Sequence, residues 1–75
     1  MVKSKRDRFT HVAGNRVQGI LDKLDLLGNC SNRNNYDYEE KDVRKMFLAI
    51  REKLKQSEIK FEEEISKKQK TKFKF

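Results

Sequence analysis

Charge and flat aromatic surface alternate at the C-terminal end of this chain, Lys67-Lys68-Gln69-Lys70-Thr71-Lys72-Phe73-Lys74-Phe75. Lysines neutralise phosphates, and rings set between them can stack on bases or enter a lipid interface. Such alternation suits contact with a single nucleic-acid strand. A solvated tail that keeps the chain dissolved uses the same residues, and composition leaves both readings open. The other end is basic as well, with Lys3, Lys5, Arg6 and Arg8 against Asp7. Arg16, Lys23 and Arg33 extend the basic set. Arg16 and Lys23 stand seven apart and share a helix face.

Residues able to do covalent or metal chemistry are sparse. His11 is the only histidine and Cys30 the only cysteine. A structural zinc site takes four ligands of that kind, and this pair falls short. His11 as a general base lacks a nucleophile and an orienting acid at any recognisable spacing. Glu62, Glu63 and Glu64 are consecutive, so on a helix they point in different directions and do not converge on a cation. Pairing with Lys60, Lys67 and Lys68 explains them better. No glycine-rich phosphate loop or nucleophile motif is present. The expectation is a protein that is not an enzyme and uses no cofactor and no metal.

Seventy-five residues make at most one domain with a thin stability margin. The net charge of +7, with a pI near 9.7, attracts the chain to nucleic acid, anionic membrane or acidic protein surfaces. A lone cysteine cannot close an intramolecular disulfide, which favours a reducing compartment. Cys30 is expected to be a plain buried thiol. No leader-like or membrane-spanning apolar run is evident, so the expected place is the cytoplasm, off the membrane.

The elements that carry these residues read as two helices. In the second, Val43, Phe47, Ile50, Leu54 and Phe61 step by four, three, four and seven, with Ser57 at the skipped position. That is a narrow stripe resembling a coiled-coil seam, backed by charged residues. It is expected to run to Phe61 and on to Ile65, outrunning the first helix by two turns or more. Asp37 with Glu40 forms the favoured capping box; Glu39 as cap, with Tyr38 and Val43 as a hydrophobic staple, is the alternative. In the first helix, whose amphipathic pattern spans residues 9–27 and whose start is expected around Lys5, the stripe is Phe9, Ala13, Val17, Ile20, Leu24 and Leu27. Gly14 and Gly19 interrupt it, each costing about 1 kcal/mol relative to Ala. Tolerance by packing is the plain explanation, and close approach of another backbone the functional one. Gly28 suits a left-handed helix stop.

Residues 29–37, rich in Asn and Ser, connect the helices and are either ordered by their own amides or a binding surface. The two tyrosines flanking the second helix start, Tyr36 and Tyr38, are expected to cover the open end of a hairpin. The fold expectation is all-α: an antiparallel two-helix hairpin over residues 1–65 with a basic tail, 66–75. Two helices with one seam each are marginal alone. Self-association into a helical bundle, as a homodimer, or docking on a larger partner is therefore expected.

Several local runs carry a resemblance: Arg8-Phe9, Asn15-Arg16-Val17, residues 26–32, Asn35-Tyr36-Asp37-Tyr38, Asp42-Val43 and Phe47. They are similar to small, largely uncharacterised proteins of phages and integrative elements of Gram-positive bacteria. The similarity spans about residues 6–62, is most specific in the 28–38 loop, and excludes the lysine tail. It implies a mobile-element accessory protein, either handling the element's nucleic acid or disarming a host defence complex such as a CRISPR nuclease.

Two functions follow as expectations. The first is nucleic-acid binding through Lys3, Lys5, Arg6, Arg8, Arg16, Lys67, Lys68, Lys70, Lys72 and Lys74, with Phe73 and Phe75 stacking. The second is inhibition of a host protein or ribonucleoprotein through Asn32, Arg33, Asn34, Asn35 and Tyr36.

Overall fold

A computed structural model describes residues 4–69. It is all-α, with α1 at Lys5–Asn29 and α2 at Glu40–Gln69, and has no strand among the described residues. The chain divides into two units, Met1–Asp37 and Tyr38–Phe75, and each is described by itself.

Helix α1 begins four residues before the amphipathic pattern because Ser4 caps it. Ser4 is extended, with φ −70° and ψ 167°, and its Oγ accepts from the Asp7 N–H at 3.0 Å. Its carbonyl accepts from the Arg8 N–H at 3.0 Å, which closes the first turn. A Ser cap of this kind contributes about 1 kcal/mol.

The other end of α1 corrects two expectations. Gly28 lies inside the helix, and no glycine among the described residues has a positive φ. The chain stops through tightened i→i+3 bonds instead. The Cys30 N–H donates to Leu27 O at 2.9 Å, and the Ser31 N–H to Gly28 O at 3.1 Å. These satisfy terminal carbonyls with Cys30 in ordinary right-handed geometry, φ −71° and ψ −5°, so no left-handed residue is required. The Cys30 thiol is exposed, not buried. Its position just past the last helical residue turns it to solvent, with only a long contact from Sγ to Leu26 O at 3.9 Å.

A Cβ built on Gly14 or on Gly19 meets nothing within 4 Å.

The connection is ordered by its own amides, and Asn32 does most of the ordering. Its carbonyl accepts from the N–H groups of Asn35 at 3.1 Å and Tyr36 at 3.0 Å. Its side-chain Oδ1 accepts from the Asn34 N–H at 2.9 Å. An Asn that holds the backbone two residues on is the usual device of an Asx turn.

Helix α2 starts at Glu40, so Glu39 and not Asp37 is the cap residue. Glu caps poorly through its own side chain, but here the third helical residue completes the motif. Asp42 Oδ2 accepts from the Glu39 N–H at 2.8 Å, and the Glu39 carbonyl accepts from Asp42 N–H at 3.0 Å and Val43 N–H at 3.3 Å. Tyr38 and Val43 are both half-shielded, as the staple reading expects. The helix continues one turn past Ile65, where Lys67 pairs with Glu64 at 3.0 Å and suits the negative end of the dipole. The 30 residues of α2 against 25 in α1 are a smaller difference than expected, about one and a half turns. The early start of α1 accounts for it.

No described residue is buried. The half-shielded ones are Ala13 and Leu27 in the first unit, and Tyr38, Val43, Phe47 and Ile50 in the second. In α2 three of these are successive stripe residues, and their neighbours along the helix supply the shielding that exists. Ile20 and Leu54, which belong at the centre of any seam, are each 59% exposed.

Candidate functional site

The best-defined cationic surface is the start of α1. Lys5, Arg6 and Arg8 fall in its first turn beside a single acid, Asp7. Lys5, Arg16 and Lys23 are separated by eleven and seven residues, near three and two whole turns, so they line one face. Arg6 sits over the Phe9 ring, 6.0 Å from its centroid. At that distance the ring stabilises the guanidinium weakly and restrains its direction without neutralising it. Among the described residues, none of Lys5, Arg6, Arg8 and Arg16 has a carboxylate within ion-pair distance.

The placement is electrostatically costly. The N-terminal end of a helix carries about half a positive charge, and cations there are disfavoured by some tenths of a kcal/mol each. An arriving phosphate would relieve both the mutual repulsion and the conflict with the dipole. Three cations of α2 behave otherwise, while Lys45, Arg51, Lys53, Lys55 and Lys60 have no ion pair among the described residues. Arg44 pairs with Glu40 at 3.2 Å, Lys41 approaches Glu39 at 3.8 Å, and Lys67 holds Glu64 at 3.0 Å. These pairs are exposed, and each contributes a fraction of a kcal/mol.

Of the expected nucleic-acid residues, Lys5, Arg6, Arg8 and Arg16 are gathered on α1, while Lys67 and Lys68 lie in the last turn of α2. Lys3, Lys70, Lys72, Phe73, Lys74 and Phe75 lie outside the described residues. The loop set is brought together as one turn. Asn32 is spent on the backbone, whereas Tyr36 is 52% exposed. His11 is exposed on α1. Among the described residues no three His, Cys, Asp or Glu side chains converge as metal ligands, and no helix is long and apolar enough to cross a membrane.

Two local signals stand in the sequence beside the apolar stripe: Ser4 and Asp7 form the Ser-x-x-Asp pattern that announces a cap, and Asp42, three residues after the alternative cap Glu39, has the spacing to reach back to it.

Comparison with family models, with curated proteins and with solved structures returned no match.

Proposed function

We propose that this protein is a small cytoplasmic accessory factor of a mobile element that binds nucleic acid without sequence preference. Its basic ends contact phosphates, and it works in self-associated form, as a homodimer or larger helical bundle. The observation that carries the reading is the first turn of α1, where Lys5, Arg6 and Arg8 have no ion-pair partner among the described residues and are set against the helix dipole, with Arg16 further along the same helix. The lysine–phenylalanine tail supports it from sequence.

Fluorescence anisotropy with a labelled single strand and a labelled duplex, repeated across salt concentrations, tests it. Binding should weaken steeply with salt, because each neutralised phosphate releases a counterion. Deleting residues 66–75 should flatten the salt dependence, and Arg6→Ala with Arg8→Ala should flatten it further. Absent binding, or binding indifferent to salt, refutes the proposal.

A second reading has its own support. The loop organised by Asn32 presents an exposed Tyr36, and a pre-ordered loop loses little entropy on docking. An inhibitor of a host defence complex, such as a CRISPR ribonucleoprotein, would use that surface. Arg33→Ala and Tyr36→Ala would then abolish inhibition while removal of residues 66–75 spared it.

A further inference from the structure

The stripe of α2 reads as a heptad seam. Phe47, Leu54 and Phe61 occupy a positions, and Val43, Ile50 and Ser57 occupy d positions. Leu54 and Phe61 are 59% and 56% exposed, so the seam has room for a partner. What can cover it is decided by the flanking residues. The e positions are Arg44, Arg51, Glu58 and Ile65; the g positions are Met46, Lys53, Lys60 and Lys67. In a parallel pair, each g residue meets the e residue five further along the partner. In an antiparallel pair, g meets g and e meets e.

We propose that the seam of α2 is covered by α2 of a second copy, running parallel and in register. Parallel pairing sets Lys53 beside Glu58 of the second copy, twice by symmetry. Met46 then faces Arg51, and Lys60 faces Ile65, so no like charges meet at the flanking positions from Arg44 to Ile65. Neither Lys53 nor Glu58 has an ion-pair partner among the described residues, so both are available.

Antiparallel pairing sets like charges against each other in each register that keeps the seam. The register that covers all six seam residues sets Arg44 against Glu58 twice, as parallel pairing sets Lys53 against Glu58, but it also brings Arg51 against Arg51 and Lys53 against Lys53 at the symmetry axis. A shift of one heptad in one direction sets Lys53 against Lys60 and carries Glu64 into the seam. The opposite shift sets Arg44 against Arg51 and strands Phe61. Like charges at these flanking positions are the usual device against a wrong partner or orientation.

Leu at a with Ile at d leans toward more than two strands. A parallel trimer or tetramer preserves each g–e neighbour and supports the proposal as a dimer does. The pairing itself does not depend on nucleic-acid binding.

Cysteine cross-linking in the full chain tests it. In a Cys30→Ser background, Ser57→Cys should give covalent dimer as the main product in a glutathione redox buffer, because d faces d only in a parallel pair. Lys53→Cys in the same background should stay monomeric on a non-reducing gel, since those positions face each other only in the antiparallel register. Sedimentation keeps the test open should a cysteine variant misfold. Lys53→Glu should weaken association severalfold, and adding Glu58→Lys should restore it. Cross-linking at position 53 in place of 57, a wild-type chain that sediments as a monomer at high micromolar concentration, or failure of the charge swap to rescue would each overturn the proposal.

Discussion

The two helices solve the same problem unequally. Helix α1 holds all three glycines of the chain, Gly14, Gly19 and Gly28, and has no basic residue in its last turn. Helix α2 has no glycine, is five residues longer, and carries ion pairs in its first and last turns. Its stripe residues Val43, Phe47 and Ile50 partly shield one another, whereas α1 manages this only at Ala13 and Leu27. The contrast teaches that α2 is close to a self-supporting rod, while α1 gives up intrinsic helix stability and depends on what it meets. Basic residues crowd the first turn of the weaker helix, and the flanking charges that bear on pairing fall on the stronger one.

The largest test of that division is at the seam. Phe47→Ala should destabilise the assembled protein by about 3–5 kcal/mol, as for a truncated core phenylalanine. Val17→Ala should cost clearly less, and equal losses in denaturant titrations would erase the contrast. Next come the glycines. Gly14→Ala and Gly19→Ala should each raise α1 stability by about 1 kcal/mol, since the added methyl meets open space. A loss of stability at either site, read by thermal unfolding, would mean that another backbone packs there in the assembly.

The caps follow. Ser4→Ala should cost about 1 kcal/mol and speed amide exchange at Asp7, whose N–H the hydroxyl accepts. Asp42→Ala should cost a similar amount at the start of α2, where its carboxylate holds the Glu39 N–H. Smallest is Glu64→Gln, which removes the pair with Lys67 and should lower helicity by a few tenths of a kcal/mol, less in high salt.

The apolar spacing made both helices legible before any coordinates. The ends were less so, because a helix end is decided by one or two hydrogen bonds and not by a repeating pattern. Asp37 looked the better cap by residue type, yet the reach of Asp42 back to Glu39 outweighed it. Gly28 looked like a stop, yet the bonds from Cys30 and Ser31 closed the turn without it. The loop offered two readings, and Asn32 supplied the ordering that one of them required. The basic site was legible as charge but not as function, because a lysine that solvates and a lysine that grips phosphate are the same residue.

The hydrogen bonds named above, from the Ser4 cap to the Asn32 bridges, each close over four residues or fewer. Order that local is lost turn by turn when a chain is warmed in isolation, with fraying spread over tens of degrees and no sharp midpoint. A calorimeter scan of dilute protein should show a low, broad swell. A concentrated sample should sharpen it into a peak that moves upward with dose, because only company makes distant turns let go together.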